Sequence, residues 1–342
     1  MISSLAHLVR LARAGFVFAR EGVFSMVDPA SVPAPARLGL YLAHLIERPT
    51  GETKAGRLSA ALTQLGPTYV KLGQFLATRP DIVGMPIARE LETLQDKMPP
   101  FPQAEAEAAV EKAFGLPLSE LFSSFGPSVA AASIAQVHRA EVQTPDGRKA
   151  VAVKVLRPGI EQRFKRDQDA FIFAARMAEN LSAEAQRLRM IETAATLRRS
   201  VALEMDLRLE AAALSEMAEN TKDDSGFRVP NVDWLRTAKD VLTLEWIEGT
   251  HLSDHDALRA KGFDLPQLGQ ALIQTFLRHA LRDGFFHADM HPGNLFVDDA
   301  GRIVAVDFGI MGRLGPKERR FLAEILLGFI TRNYYRTAEV HF

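Results

Sequence analysis

Cysteine is absent from this 342-residue chain, which excludes disulfides, thiolate metal sites and cysteine nucleophiles and fits a reducing compartment. An excess of one charge is also missing: 41 Lys and Arg stand against 42 Asp and Glu, a formal net charge of -1. No basic block interleaves with aromatics, so nothing offers a footprint for a nucleic-acid backbone, and nucleic acid is not an expected partner. No uncharged run approaches the ~18 to 20 apolar residues that span a bilayer. The most apolar late segment, Phe321 to Ile330, contains Glu324. Residues 1–27 carry Arg10, Arg13 and Arg20 against one acid, Glu21, and lack an unbroken apolar core followed by a small-residue cleavage site. They read as an amphipathic helix packed on the protein, in preference to one lying on anionic lipid.

What the chain does have is 47% hydrophobic residues, enough to bury a large core in two or three subdomains. After a break from Pro29 to Pro35, apolar spacing predicts helices over Leu38–Ile46 and Leu58–Leu65, separated by a Pro-Thr-Gly-Glu turn at 49–52. A third helix opens at Pro67 and runs through Thr78 with Lys71 and Gln74 on one face, and another spans Pro86 to Gln95. The Pro99-Pro100-Phe101-Pro102 cluster marks a linker before a short helix to Phe114. Two β-rich runs, Val137–Val142 and Ala150–Leu156, joined by Thr-Pro-Asp-Gly, predict a hairpin. Helical spacing covers Phe164–Asn180 and Ala185–Asn220, and strands are expected over Arg228–Trp234 and Val241–Ile247. A helix from Pro266 to Asp283 stops at Gly284, and Lys317–Asn333 is helical again. The chain stops soon after this apolar helix, as a fragment of a longer protein would.

Between these last two helices lies HADMHPGNLFVDDAGRIVAVDFG, His287 to Gly309. Asp289 and Asn294 share a loop, and a predicted strand, an Asp-Asp-Ala-Gly turn and a second strand return the chain to Asp307. This order resembles the catalytic and metal-binding loops of kinases. Asn294 and Asp307 are hard oxygen donors suited to Mg²⁺, and Asp289 faces a transferring phosphoryl group. His287 and His291 flank Asp289 in a His-x-Asp-x-His array, so a binuclear or zinc hydrolase is the rival reading. The other histidines are scattered, without the further ligands that chemistry needs.

Upstream, Lys154 alternates with Val151, Val153 and Val155 in the second hairpin strand. Alone it would be an edge-strand lysine that keeps a strand soluble. Beside the Asp-Asn-Asp set it reads as the contact for α- and β-phosphates, which requires an acidic helix residue to hold its ammonium. EMDLRLEA, read as one continuous helix, puts Asp206 and Glu210 on one face, with Glu204 and Glu210 roughly 120° apart at ~100° per residue. Glu210 is assigned to Lys154, leaving Glu204 and Asp206 for Lys71. Ala130-Ala131-Ala132-Ser133 falls where a nucleotide-covering loop belongs, yet lacks glycine. Left-handed alanines cost roughly 1 to 2 kcal/mol each, so this loop should keep φ negative and be stiffer than a Gly-rich one.

These segments occur in one order: Lys71-Leu72-Gly73-Gln74 with Thr-Arg-Pro-Asp, AAASIAQVHRA, VAVKVLRPGI, EMDLRLEA, and HADMHPGNLF with VDFG. From about residue 60 the chain resembles the UbiB (AarF/ADCK-type) atypical kinase-like family. The resemblance implies an α+β, protein-kinase-like bilobal fold with an N-terminal helical extension (residues 1–115), an N-lobe (116–250) and a truncated helical C-lobe (251–342). It implies ATP or ADP with Mg²⁺, held by Ala130 to Ser133, Lys154, Asn294 and Asp307. Asp289, Lys154 and Glu210 are then catalytic, and Lys71, Gln74, Glu204 and Asp206 gate the site. It further implies kinase or ATPase work in ubiquinone biosynthesis with quinone-precursor lipids or biosynthetic enzymes as partners. The expected location is cytoplasmic, peripheral at the inner membrane, with the apolar C-terminal anchoring helices of family members missing here. The alternative is a nucleotide-switched lipid-binding or chaperone-like module with little catalysis. Only seven residues separate Gly309 from Lys317, and no Ala-Pro-Glu follows, which predicts poor phosphorylation of proteins in trans.

Overall fold

The computed structural model describes residues 2–26, 34–48, 54–92, 94 and 98–341. The break around residues 29–33, the turn at 49–52 and the helix end at Gln95 lie outside the described residues. In chain order the helices α1 (Ile2–Arg20), α2 (Ala34–Leu45), α3 (Lys54–Leu65), α4 (Pro67–Ala77), α5 (Pro80–Val83) and α6 (Met85–Glu92) come first. Then follow α7 (Gln103–Phe114), α8 (Leu118–Leu121), β1 (Ser124–Ala131), β2 (Ala135–Thr144), β3 (Gly147–Leu156), α9 (Ile160–Leu181), α10 (Ala183–Arg187), α11 (Met190–Glu204) and α12 (Leu207–Asn220). The remainder holds β4 (Phe227–Arg228), β5 (Val241–Glu245), β6 (Thr250–His251), α13 (His255–Ala260), α14 (Leu265–Arg278) and β7 (Phe285–His287). It closes with β8 (Leu295–Val297), β9 (Ile303–Ala305), β10 (Met311–Arg313), α15 (Pro316–Ile330) and α16 (Tyr334–His341). The fold is α+β, as the sequence pattern implies.

Backbone packing separates two units. The first comprises Met1–Ala109, Pro127–His138 and Val155–Met205, and the second Val110–Gly126, Arg139–Lys154 and Asp206–Phe342. In the first, Ala14 and Val17 of α1 join Ala61, Leu62 and Leu65 of α3, Tyr69 and Val70 of α4, and Leu91 and Leu94 in one buried cluster. Gly73 is the residue that lets α4 approach so closely: a Cβ there would lie 2.6 Å from Leu94 Cδ2 and 2.7 Å from Leu62 Cδ1. The inner face of α1 is thus packed, as expected, while Leu5, Leu8, Val9 and Phe16 stay exposed elsewhere on the helix. Among the described residues no helix is long and apolar enough to cross a membrane.

A four-stranded sheet runs in the order β1, β2, β3, β5. The hairpin β2–β3 forms as predicted, turning at Gly147 with φ 117°. Strand β1 was not expected. Its burial pattern does not alternate, and it contains Gly126 and Pro127, so pairing with β2 rather than local propensity makes it a strand. In the second unit, β4, β9, β8 and β6 form a second sheet, with β8 and β9 antiparallel and Leu295 opposite Ala305. The strand expected over Arg228–Trp234 shrinks to Phe227 and Arg228, because Pro230 has no N–H to donate and Asp233 caps a short 3-10 turn at Trp234–Arg236. Helix α14 is capped by the Asp264 side chain, passes into a wider turn over His279–Asp283 and stops at Gly284, whose φ is 66°. A side chain at Gly284 would also collide with the carbonyl of Leu314.

Candidate functional site

Lysine 154 sits in β3, whose neighbours in the sheet are β2 and β5, so it is not on an edge strand. Val151, Val153 and Val155 point into the core while Lys154 lies on the other face, and a lysine among four strands needs an anion. It has two. The ammonium donates to both carboxylate oxygens of Glu210, at 3.0 and 2.9 Å, and to Oδ1 of Asp307 at 3.1 Å. Glu210 is nearly inaccessible, with 6% of its side chain exposed, whereas 52% of the Asp307 side chain faces out. Burial by itself would depress the lysine pKa, but Asp307 and Glu210 together raise it above its ordinary value. Burial pushes the Glu210 carboxyl up while Lys154 pulls it down, leaving it raised. The ammonium therefore stays charged between one buried and one open carboxylate.

The hairpin β8–β9 brings the two halves of the HADMHPGNLF and VDFG segment together. The Val306 N–H donates to the Asn294 carbonyl at 2.9 Å, and the Ala288 N–H to that of Ile310 at 3.1 Å. His287, buried at 1% exposure, accepts the Asp289 N–H on Nδ1 at 3.1 Å and donates from Nε2 to the Val306 carbonyl at 3.3 Å. That pairing assigns the neutral Nε2–H tautomer. Its ring packs edge-on against Phe308 with centroids 4.9 Å apart. Asn294 donates its amide to the Asp289 carboxylate at 3.0 Å and to the Asp289 carbonyl at 3.2 Å. Asp307 then takes φ 62°, a left-handed conformation that a non-glycine residue holds only where its neighbours over-determine it. Lys154, Glu210, Asp289, Asn294 and Asp307 are thereby linked through contacts inside one unit. The role of His287 as a loop brace was partly legible, since the residue is flanked by the motif it serves.

The oxygen donors suit a divalent metal. Asn294 uses its amide nitrogen on Asp289, which leaves the amide oxygen as a candidate metal donor, and half of the Asp307 carboxylate side chain is open. Among the described residues, no three His, Cys, Asp or Glu side chains cluster as a metal site, so His287 and His291 lack the extra ligands a zinc hydrolase requires.

EMDLRLEA is two helices, and this corrects the single-helix reading. Met205 ends α11, and Asp206 caps α12 by accepting the Arg208 N–H. Asp has a strong preference for that position, and its other partner is the Arg208 guanidinium, at 2.8 and 2.6 Å, which lowers its pKa. Asp206 thus pairs with Arg208. Glu204, at the C-terminus of α11 where a helix dipole disfavours an anion, is met by Lys71 at 2.7 Å with both side chains mostly covered. Gln74 lies one turn further along α4, half-buried.

The Ala130 to Ser133 stretch is not a four-residue loop. Ala130 and Ala131 complete β1, and the turn is Ala132-Ser133-Ile134, closed by the Ala132 N–H donating to the Ala135 carbonyl at 2.8 Å. Its φ angles are all negative, as predicted for a loop without glycine. Arg157 donates to the turn's Ala132 carbonyl and to that of Pro99, and Gln136 holds the Phe101 backbone; sequence reasoning passed over them because buried polar clasps carry no periodic signal.

The ABC1 atypical kinase-like domain, as a family model, matches residues 93–341. The chain belongs to that family. It is 39% identical over 98% of its length to a probable protein kinase UbiB from Marinobacter nauticus, of which it covers 62%. The UbiB-type resemblance read from the motifs is borne out by this relative, and the chain spans under two thirds of that relative's length. Among solved structures, the Rv3197–erythromycin complex from Mycobacterium tuberculosis is similar with a TM-score of 0.51 and 25% identity, over 90% of this chain and 75% of that one. The family's kinase-like character agrees with the Lys154, Glu210 and Asp307 contacts.

Proposed function

We propose that the chain binds ATP or ADP with Mg²⁺ and acts as a UbiB-type atypical kinase or ATPase on a small-molecule or lipid pathway, that of ubiquinone. The observation that carries this reading is the Lys154 ammonium held between buried Glu210 and open Asp307. Lys154 contacts the α- and β-phosphates, and Asn294 and Asp307 hold the metal, which when bound neutralises charge on the phosphate oxygens. Asp289, kept in place by Asn294 and His287, orients the acceptor hydroxyl or water. The Ala130 to Ser133 segment presents backbone to the phosphates, and Lys71, Gln74 and Glu204 gate access. Asp206, at the start of α12, belongs to the same gate. In functional terms 1–115 is the extension, 116–250 the N-lobe and 251–342 belongs to the C-lobe.

The exposed apolar side chains of α1, with Arg10, Arg13 and Arg20 on the same helix and no acid among its residues, support work at an anionic membrane surface, where quinone-precursor lipids are found. Asp289→Asn keeps the hydrogen-bonding shape and removes the charge. The expected outcome is nucleotide affinity within about twofold of the parent and turnover lower by about 100-fold or more. Turnover at the parental rate would remove Asp289 from its role and favour a nucleotide switch with little chemistry.

A further inference from the structure

The Pro-rich linker after α6 does more than connect. The Phe101 N–H donates to Gln136 Oε1 at 2.9 Å, and Gln136 Nε2 donates back to the Phe101 carbonyl at 3.3 Å and to His138 Nε2 at 2.9 Å. Gln136 and His138 are 1% and 0% exposed, so this side-chain amide replaces a missing strand partner for the linker in a place water does not reach. Arg157 forms the other half of the clasp. Its guanidinium stacks over the Phe101 ring at 5.1 Å and donates to the carbonyls of Pro99 at 3.0 Å and Ala132 at 3.5 Å, while its own N–H donates to the Ile134 carbonyl at 2.8 Å. Burial lowers the Arg157 pKa, as expected for a guanidinium whose partners are neutral carbonyls. Met98, whose N–H reaches the Ala131 carbonyl at 3.4 Å, packs its side chain against the cluster that holds Tyr69 and Val70 of α4. The linker therefore touches both the core beneath the Lys71 helix and the Ala-rich turn, all within one packing unit.

We propose that Gln136 and Arg157 are positioning residues, a clasp that fixes the Ala132-Ser133-Ile134 turn for nucleotide phosphates and couples it to the helical extension through residues 98–101. A turn that contains no glycine gains nothing from flexibility, and a fixed backbone meets a phosphate without an ordering cost at each binding event. The clasp also explains how α4 reaches the turn: a shift of its core moves Met98, and Met98 is bonded to Ala131. The nucleotide role of the turn rests on the proposed function, whereas the mechanical coupling does not.

Two readouts separate them. In Gln136→Ala, amide hydrogen exchange at residues 131–135 should quicken by about 10-fold, since the buried linker N–H and carbonyl lose their partner. The dissociation constant for ADP with Mg²⁺, measured by titration calorimetry, should rise by a similar factor, and KM for ATP should rise more than kcat falls. Arg157→Lys, which retains the charge and a donating ammonium but not the planar guanidinium, should lie between the parent and Arg157→Ala in both measurements. If Gln136→Ala fails to fold by circular dichroism, the Arg157 pair decides alone. Unchanged exchange in the turn overturns the clasp. Faster exchange with unchanged ADP affinity and KM overturns the positioning role. A parent protein that does not bind ADP at all contradicts the proposed function, while its exchange pattern still tests the clasp.

Discussion

Aspartate 307 is the residue on which the site turns, because its left-handed backbone and its bond to Lys154 occur together. Asp tolerates that conformation better than most side chains, and the Val306 to Asn294 hydrogen bond fixes the residue before it. Lys154 and Asp307 were legible from residue type and order alone, since a lysine inside a valine-rich strand and an Asp-Phe-Gly after a hairpin have few other uses. The helix start at Asp206 escaped the single-helix reading for an equally local reason: its short carboxylate competes for backbone N–H groups and takes the capping position. The balance at Glu210 yields a test. Glu210→Gln leaves the ammonium with one open carboxylate partner, so urea denaturation should show a loss of about 2 to 3 kcal/mol, at the low end for a broken buried pair because 18% of Lys154 is exposed. A loss under about 0.5 kcal/mol would mean that water, and not Glu210, solvates Lys154 in the folded protein.

Elements with strong periodicity were readable. The β2–β3 and β8–β9 hairpins and the helices α4, α9, α14 and α15 fall where alternation or helical spacing put them, within a few residues. Elements made by their neighbours were not: β1 has no apolar alternation and exists through β2, and the junction between α11 and α12 is hidden inside a run of good helix formers. That junction places Glu210 in the first turn of α12, where a negative charge favours the helix start. Asp206→Ala removes the side-chain cap and should cost about 1 kcal/mol in global stability. The same change should loosen Glu210 and weaken ADP binding by a few fold, measured by calorimetry. Full retention of both would mean that packing of Leu207 and Ala211 alone sets the start of α12.

At the scale of the whole molecule, the segment after Gly309 is short and already structured. Met311–Arg313 pairs with Phe285–His287 as β10 against β7, and α15 begins at Pro316. A protein substrate would need a longer extended segment to lie against. The chain should therefore transfer radiolabel poorly to added proteins, while its ATP turnover should rise with anionic liposomes and a phenolic quinone-precursor mimic. Efficient labelling of a protein partner would contradict the small-molecule reading. Composition leaves no cysteine chemistry and gives no reason to expect nucleic acid, but could not show that the chain packs as two units built from interleaved segments, because such contacts join residues far apart in sequence.

The central claim is that Lys154, Asn294 and Asp307 gather around one metal-bound nucleotide. Calorimetric titration of the parent and of Asp307→Asn with ATP, each with and without Mg²⁺, tests it most directly. The account predicts Mg²⁺-dependent binding in the parent and none in the variant, with the fold retained by circular dichroism. Equal, metal-independent affinity in both proteins would contradict it.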